Sequence, residues 1–364
     1  MPAKLYINLD NLKFNIKNIK KHLFKNQELL VMVKADAYGS GLVETSKYLE
    51  NIGVKNFGVA YLKEAKLLKN NNIKGDIIVF SGLEENEIKD SISVDAIYSV
   101  SDTYMLFMLN EEAKKNKTTV RVEIAIDTGM TRLGFDKSQM IELAREIKKL
   151  NNIKIHGIYT HLSKADSDEN YTLKQLETFD NCIEILKNNN IDVGKIHALN
   201  SAGIIRYNDP KYDIVRLGIS AYGYYPDESF KEDIQLKPIF KLVAPICFVH
   251  EVEKDHDVSY NGTYKTNKKT KIAVLQIGYA DGLTRTLSNN FEVIINNKKA
   301  KIIGNICMDT CMVDVTDINC SAGDEAIIFD FDYSNIETIA RKTNTIVYEV
   351  ITNIGKRVDR NYIK

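Results

Sequence analysis

Eight short segments rich in Val, Ile and Tyr follow one another through the first two thirds of this chain, and they restrict its fold more than any other feature. They read LLVMVK, NFGVAY, DIIVF, DAIYSV, VRVEIAID, IHGIYTH, KIHAL and DIVRLGI. Most are separated by segments with the apolar period of amphipathic helices, such as LKQLETFDNCIEILKNN. Alternating strands and helices indicate a parallel sheet, and eight such units predict a closed (β/α)8 barrel of the TIM type.

The pattern changes from about residue 236. Segments such as PIFKLVAPICFVHEV, KIAVLQIGYADGL, EAIIFD and NTIVYEVI are typical of strands, and INNKKA is typical of a hairpin turn. A helical period is weak except in residues 336–342. We therefore predict an α/β protein with a barrel domain over residues 1–235 and a mainly β C-terminal domain over residues 236–364.

Composition and charge argue against several classes of partner. Lys+Arg and Asp+Glu both number 49, so there is no basic excess that would favour a nucleic-acid partner. No apolar run approaches the roughly 20 residues of a membrane span, and the N-terminal MPAKLYINLD has no apolar signal-peptide core. The five cysteines do not indicate a disulfide framework, and the spacing of Cys307 and Cys311 does not predict a metal site. We expect a cytoplasmic protein without metal, nucleic-acid or membrane partners.

Functional side chains stand at the ends of the predicted barrel strands, where barrel enzymes carry their chemistry. Taken alone, Lys34 would mark the point where a strand meets water, and Ser201 would be a helix cap. Their joint placement with other polar residues at strand ends predicts an active site at one mouth of the barrel. The residues at or just beyond these ends are Lys34, Tyr38, Arg132, His161, Ser201, Arg216, Gly218 and Ile219.

Two of the loops that follow the predicted barrel strands suggest a bound cofactor. Phosphate sites in such barrels often use the loops after strands seven and eight, which here hold Ser201, Gly218 and Ile219. Backbone N–H groups and a serine hydroxyl can bind a phosphate dianion. A lysine facing such a site predicts covalent attachment of pyridoxal phosphate to Lys34. Nearby cations would lower the pKa of that lysine, so that its neutral amine can attack the cofactor's aldehyde.

Longer motifs then run through the chain: VKADAYGSG, DTGMTRLGF, NSAG, VRLGISAYG, VSYNGTYKT, IGYADGLTR, GNICMDTCMVDV and YEVITNIGKRV. In this order they resemble the motifs of the alanine racemase family over essentially the whole length. The resemblance implies a pyridoxal-phosphate-dependent enzyme that interconverts L- and D-alanine and supplies D-alanine for peptidoglycan. It also implies an eight-stranded barrel, a β-rich C-terminal domain and a homodimer with shared active sites.

The resemblance further implies roles for individual residues. Lys34 would hold the cofactor and act as one acid/base, and Tyr260, supplied by the partner subunit, would act as the other. Arg216 would bond the pyridine nitrogen, with His197 hydrogen-bonded behind it. The remaining implied contacts are with the phosphate (Tyr38, Ser201, Gly218, Ile219 and Tyr348), beside the cofactor ring (His161), at the ring oxygen and substrate carboxylate (Arg132), and on the substrate side from the partner (Met308 and Asp309).

Two bases and an arginine form a coherent set for racemisation. The reaction removes a proton from one face of Cα and delivers one to the other, which two bases on opposite sides achieve without moving. A tyrosine base has an unperturbed pKa near 10, so it needs positive charge nearby. Arg216 can only donate, so the pyridine nitrogen would stay unprotonated and the cofactor would be a weaker electron sink. Side reactions such as transamination would then be limited.

Three positions depart from the family pattern. Many members carry a lysine that becomes carbamylated and orients the arginine equivalent to Arg132, but Ala125 stands at that position here. Ser40 stands where histidine is frequent, and Asp359 stands where proline is usual. These changes leave the catalytic set intact but bring the substrate preference into question.

Three alternative functions stay open. A barrel-type amino-acid decarboxylase would usually have an acidic residue at the pyridine nitrogen and a glycine-rich phosphate loop, whereas this chain has Arg216 and no such loop. A non-enzymatic pyridoxal-phosphate-binding barrel would use Lys34 but leave Tyr260 without a role. A serine or broad-specificity racemase is the nearest alternative; Tyr348 favours alanine, since serine-preferring relatives tend to differ there.

Overall fold

Strands and helices alternate through the first part of the chain, as the sequence predicts. The computed structural model describes residues 2–332 and 334–364; Met1 and Tyr333, which fall within the two predicted domains, lie outside the described residues. In chain order the elements of this part are β1 (Lys4–Asn8), α1 (Leu9–Lys20), β2 (Glu28–Met32), α2 (Lys34–Tyr38), α3 (Leu42–Asn51), β3 (Asn56–Val59), α4 (Leu62–Asn70), β4 (Asp76–Val79), α5 (Ile88–Ser91), β5 (Ile97–Val100), α6 (Thr103–Lys115), β6 (Val120–Ile126), α7 (Met140–Ile147), β7 (Ile153–Thr160), α8 (Glu169–Asn188), β8 (Lys195–His197), α9 (Ser201–Arg206) and β9 (Ile214–Leu217).

Strands β2 to β9 form a closed parallel barrel. They pair in the order β8-β7-β6-β5-β4-β3-β2-β9. The ring closes where the Asp213 N–H donates to the Ile196 carbonyl at 2.8 Å and the Arg216 N–H donates to the Leu199 carbonyl at 2.9 Å. Strands β3 and β5 are buried along their whole length, as expected when both faces of a parallel sheet are covered. The eight predicted strands and the (β/α)8 barrel are confirmed.

The second part of the chain is mainly β, which is also confirmed. Its elements are β10 (Phe240–Val252), β11 (Asp257–Val258), β12 (Tyr264–Lys265), β13 (Thr270–Leu275), β14 (Glu292–Ile295), β15 (Lys298–Lys301), β16 (Cys311–Asp314), β17 (Glu325–Phe329), α10 (Ser334–Lys342), α11 (Val347–Thr352) and β18 (Asp359–Ile363). The principal sheet of this part has the order β15-β14-β17-β10-β1-β18, and β13 and β16 extend it from β10.

The predicted hairpin turn in INNKKA joins β14 to β15. Asn296 and Asn297 both have a positive φ, at 49° and 63°, which asparagine tolerates better than most residues. Two consecutive residues of this kind form the type I′ turn that suits the twist of a hairpin. The predicted turn is confirmed. It could be predicted from the sequence because its signal lies within the turn itself.

The first strand of the chain pairs with the β-rich part. Strand β1 runs antiparallel to β10 and parallel to β18, so the chain begins in this sheet and enters the barrel through α1. Leu5 and Ile7 of β1 are fully buried between half-exposed neighbours. The predicted division at residue 235 includes this strand with the barrel, whereas its hydrogen bonds are with the other sheet. A strand this short gives no sign in sequence of which sheet it joins.

The predicted strand in NTIVYEVI is wrong, because Val347–Thr352 is a helix, α11. The β-branched residues of this segment favour a strand, but tertiary contacts decide otherwise. Ile351 is fully buried, and a Cβ at Gly39 would lie 2.4 Å from the Ile351 carbonyl oxygen. Helix α11 therefore packs directly on the loop that follows Lys34, which places Tyr348 at the barrel mouth.

Among the described residues, no helix is both long and apolar enough to cross a membrane.

Candidate active site

A cavity of about 600 Å³ opens at the C-terminal ends of the barrel strands. It is lined by nine of the residues that the sequence singles out, and by aromatic and polar residues that it does not, among them Phe80, Tyr159 and Asn200. The nine predicted residues that share this cavity are Lys34, Tyr38, Arg132, His161, Ser201, Arg216, Gly218, Ile219 and Tyr348. The structure therefore brings together residues that are up to 314 positions apart in the chain, Lys34 and Tyr348.

The backbone directly after Lys34 is left-handed. The four residues Ala35, Asp36, Ala37 and Tyr38 have φ values of 53°, 56°, 51° and 54°, so α2 is a left-handed turn without a single glycine. A left-handed helical residue costs roughly 1–2 kcal/mol unless it is glycine. Strain of this kind persists only when the surroundings fix the segment, and it is concentrated at functional sites.

Several contacts fix this turn and the loop that follows it. Tyr38 stacks on Tyr222 with ring centroids 4.6 Å apart, and the Tyr222 hydroxyl donates to the Met32 carbonyl at 2.8 Å. From β18, the Arg360 Nε donates to the Gly39 carbonyl at 3.2 Å, and the Tyr362 hydroxyl donates to the Ser40 carbonyl at 2.8 Å. The β-rich part of the chain thus holds the loop that carries Lys34.

Two departures from the family pattern have a local explanation. Ser40 is fully buried, and its hydroxyl donates to the Ala37 carbonyl at 2.6 Å and lies 2.8 Å from the Thr45 hydroxyl. The Asp359 N–H donates to the Ala3 carbonyl at 3.1 Å, a hydrogen bond that a proline at 359 would lack. Both residues therefore fasten the structure around the site.

Arg216 lies across the floor of the cavity and is buried. Its Nη2 donates to the Thr160 carbonyl at 2.7 Å and the Ala198 carbonyl at 3.0 Å, and its Nη1 donates to His197 Nδ1 at 2.9 Å. Burial lowers the pKa of Arg216 to about 10, which still leaves the guanidinium protonated near neutral pH. The side chain can therefore only donate hydrogen bonds.

A buried chain of polar groups continues behind Arg216, and its far end could not be predicted from the sequence. Because His197 Nδ1 accepts from Arg216, its proton lies on Nε2, which donates to Glu123 at 2.5 Å. The other Glu123 oxygen lies 2.8 Å from His156 Nδ1. Burial acts to raise the pKa of Glu123, but the two histidines hold it at about 2. The ionised carboxylate thus fixes the tautomer of His197 and the orientation of Arg216.

Lys34 and His161 are both less basic than in water. Burial, and then the charge of Arg132, lowers the pKa of Lys34, while Glu64 acts to raise it. Burial, and then the charges of Arg216, Arg132 and Lys34, lowers the pKa of His161 to about 3, so this imidazole is neutral. Burial and the charge of Arg132 therefore favour the neutral amine of Lys34, which is the nucleophilic form.

The loops after β8 and β9 form a polar cradle in the cavity that Lys34 also lines. The Gly218 N–H donates to the Ser201 hydroxyl oxygen at 3.0 Å. A Cβ at Gly218 would lie 3.0 Å from the Tyr38 hydroxyl and 3.6 Å from the Ser201 hydroxyl, so any side chain at residue 218 would crowd the Tyr38 hydroxyl. The Tyr38 and Tyr348 rings are 6.4 Å apart at the same place. This cradle, the cavity volume and the less basic Lys34 fit pyridoxal phosphate.

Arg132 also reaches the cavity but is held loosely. It is exposed, and within the part of the chain that the structure describes no hydrogen bond or ion pair holds its guanidinium. Ala125 lies buried on β6, and its methyl group offers neither charge nor acceptor to an arginine. The loop between them is fixed by Asp127 Oδ1, which accepts from the N–H groups of Gly129 at 2.9 Å and Thr131 at 3.0 Å.

Ala125 has no amine that could form a carbamate. Enzyme activity should therefore not depend on dissolved bicarbonate. The kcat should be the same in bicarbonate-depleted buffer and after bicarbonate is added at constant pH and ionic strength. Ala125→Lys, which restores the family's lysine, is the control in which bicarbonate has a group to modify. A reproducible rise in kcat of the unmodified sequence would show that a carbamate forms at another lysine.

Four predicted residues do not line the cavity of their own chain: His197, which lies behind Arg216, and three residues of the β-rich part. Tyr260 and Met308 are exposed on the β-rich part, by 68% and 53%, and Asp309 is exposed and pairs with Arg357 at 2.7 Å. The loops that carry them are neighbours, since the Ser259 hydroxyl lies 3.6 Å from Cys307 Sγ. Tyr260, Met308 and Asp309 thus share one exposed patch, separate from the barrel mouth.

A (β/α)8 barrel with a β-rich second part, whose mouth holds a lysine and a polar cradle in one cavity, defines the barrel class of pyridoxal-phosphate enzymes. The model of the alanine racemase N-terminal domain matches residues 7–226, and that of the alanine racemase C-terminal domain matches residues 239–362. The chain belongs to the alanine racemase family, whose members depend on pyridoxal phosphate.

Relatives and solved structures agree with this assignment. The alanine racemase of Clostridium kluyveri is 40% identical over 366 residues, which cover 98% of this chain and 93% of that protein. The alanine racemase of Methanococcus maripaludis is 38% identical and covers 100% and 99%. The solved structure of the alanine racemase of Clostridium difficile 630 has a TM-score of 0.95 at 36% identity and covers 100% of this chain and 96% of that one.

Proposed function

We propose that this protein interconverts L- and D-alanine with pyridoxal phosphate bound at the barrel mouth. The observation that carries the proposal is that Lys34, with its lowered pKa, shares one cavity with the cradle of Ser201 and Gly218 in a member of the alanine racemase family. Solved structures of other alanine racemases contain cycloserine or L-Ala-P, both of which are alanine-like ligands. By the same family argument, we place the enzyme in the cytoplasm, where it would supply D-alanine for peptidoglycan.

The chain's own residues then have distinct tasks. The chemistry that pyridoxal phosphate supplies when bound is electron withdrawal from Cα of the amino acid, which makes its hydrogen acidic. Lys34 would hold the cofactor and move a proton on one face of Cα, and Tyr260 would move a proton on the opposite face. The phosphate would be held by Tyr38, Ser201, Gly218, Ile219 and Tyr348, the ring flanked by His161, and the substrate carboxylate held by Arg132.

A complete site requires two chains. Tyr260, Met308 and Asp309 lie on an exposed patch away from the cavity of their own chain, although the resemblance to the family implies that they act at the substrate. A two-fold homodimer in which each patch covers the partner's barrel mouth would give two equivalent sites. It would also bury the large apolar side chains that are now exposed in this patch.

The protonated guanidinium of Arg216 should keep the pyridine nitrogen unprotonated. In Arg216→Glu, a carboxylate would stabilise the protonated ring, and the Thr160 and Ala198 carbonyls would lose their donor. Racemisation should fall by about a hundredfold, the scale of losing a positioned electrostatic group. A new long-wavelength absorption band should appear when alanine is added.

Arg145→Glu, on the exposed side of α7, makes the same change of charge without touching the cavity and should retain full activity. Circular dichroism separates misfolding of the Arg216 variant from an effect on the site. If folded Arg216→Glu kept full activity and showed no new band, Arg216 would not control the ring nitrogen.

A serine or broad-specificity racemase is the second candidate, because nothing on β6 holds Arg132 as a carbamylated lysine would. A panel of L-amino acids, assayed by chiral chromatography for the D-enantiomers and for released carbon dioxide, tests both. We expect D-alanine to form fastest, without carbon dioxide. Faster formation of D-serine would favour the second candidate, and carbon dioxide without D-amino acids would indicate a decarboxylase.

A further inference from the structure

We propose that Glu64 is a positioning residue for Lys34: its buried carboxylate ties the left-handed turn after Lys34 to the neighbouring strand end and supplies a negative charge beside the lysine. The inference deepens the proposed function and rests on it for the role of Lys34. It concerns a residue of α4 that does not line the cavity and is not part of any motif quoted above.

The two oxygens of Glu64 serve two separate junctions of the barrel. Its Oε1 accepts from the Ala35 N–H at 2.8 Å, and Ala35 is the first left-handed residue after Lys34. Its Oε2 accepts from the Ala60 N–H at 2.8 Å and the Tyr61 N–H at 3.1 Å, where β3 passes into α4. The end of β2 and the end of β3 are thus joined through one side chain.

A carboxylate is the one group of this shape that satisfies all three donors. An ionised carboxylate only accepts hydrogen bonds, with two equivalent oxygens. A glutamine has one carbonyl oxygen and one NH2 group, so it would present a donor to one of the two junctions. Glu64 is only 9% exposed, so no bulk water would compensate for that mismatch.

The position of Glu64 also bears on the charge of Lys34. Arg132 and Arg216 are cations in the cavity that Lys34 lines, and Asp127, Asp166 and Glu349 carry the carboxyl groups that line it. His161 is neutral there, and burial keeps Tyr38 protonated by raising its pKa. Against burial and the Arg132 charge, which lower the pKa of Lys34, Glu64 is the group that raises it. The same carboxylate therefore sets both where Lys34 stands and how readily its amine is protonated.

The variant Glu64→Gln tests this on the cofactor-free protein, with Glu87→Gln as the matched control. Glu87 also accepts a backbone N–H three residues earlier, that of Glu84 at 3.0 Å, but it has no contact with the Lys34 turn. The rate at which acetic anhydride labels Lys34 is followed against pH by peptide mass spectrometry, and the affinity for pyridoxal phosphate and the melting temperature are measured in parallel.

We expect the labelling curve of Glu64→Gln to move to lower pH, because loss of a neighbouring negative charge lowers the pKa of an ammonium group. The Kd for pyridoxal phosphate should rise about tenfold, the scale of one hydrogen bond to a charged group. Glu87→Gln should change neither. Since labelling needs neither substrate nor cofactor, the curve reports on Glu64 even if the protein proves not to be a racemase.

If Glu64→Gln lowered the melting temperature but left the labelling curve and the Kd unchanged, Glu64 would be merely structural and the proposal would be overturned. Should that variant fail to fold, Glu64→Asp keeps the charge on a shorter side chain that cannot reach both junctions. We expect it to keep the labelling curve near that of the unmodified protein and to raise the Kd. An unchanged Kd in Glu64→Asp would contradict the positioning role.

Discussion

Replacing Lys34 by alanine should abolish racemisation, with kcat/KM at least about ten-thousandfold lower, because on the proposed mechanism the change would remove both a covalent tether and one of two proton carriers. Among the described residues that line the cavity, Lys34 is the only lysine, so no other lysine could take its place. Racemisation measured by chiral chromatography, with circular dichroism to verify folding, gives the result directly.

Borohydride labelling identifies the lysine that binds the cofactor, independently of enzyme activity. Borohydride reduction of the protein with pyridoxal phosphate should fix the cofactor's mass on the peptide that contains Lys34. The control is Lys63→Ala, which removes an exposed lysine of α4 and should change neither activity nor labelling. A cofactor mass fixed on any other lysine would refute the assignment of Lys34.

The variant Tyr260→Phe should lower racemisation about a thousandfold, the contribution of one positioned acid/base. The change removes only a hydroxyl from a side chain that is 68% exposed in the isolated chain, so the fold should be unaffected. A loss of this size at an exposed position is expected only if Tyr260 works at a site completed by another chain.

The two-base arrangement makes a finer prediction about the same variant. Because Lys34 and Tyr260 would face opposite sides of Cα, Tyr260→Phe should still exchange the Cα hydrogen of one enantiomer of alanine with deuterium from the solvent, and not that of the other. Tyr104→Phe, at an exposed tyrosine of α6 that does not line the cavity, is the control and should racemise normally. Equal exchange of both enantiomers by Tyr260→Phe would favour a single base.

Features with a local signal could be predicted from the sequence. Each barrel strand carries its own apolar run, and the chemistry of a barrel lies at strand ends, so Lys34, His161 and Arg216 could be assigned to one mouth before the structure was known. The Asn296–Asn297 turn was predictable for the same reason, since its signal is contained in two residues.

Features that depend on distant contacts could not be predicted. The buried chain of polar groups behind Arg216 includes a contact between Glu123 and His197, which are 74 positions apart. The sequence around one of these residues does not indicate that it contacts the other. The left-handed turn after Lys34 contains no glycine, so nothing in KADAY signals it. Helix α11 forms from β-branched residues because its contacts with the Lys34 loop outweigh their strand preference.

Hybrid dimers test most directly the central claim that each active site takes Lys34 from one chain and Tyr260 from the other. Lys34→Ala and Tyr260→Phe chains with different affinity tags are co-expressed, and the hybrids are purified on both tags. Each hybrid has one site with both residues intact, so we predict about half of the wild-type activity from two nearly inactive parents. Hybrids of Lys34→Ala with the Lys34→Ala/Tyr260→Phe double variant have no intact site and should stay inactive. If the purified Lys34→Ala and Tyr260→Phe hybrids were as inactive as their parents, the site would not be shared and the account would be contradicted.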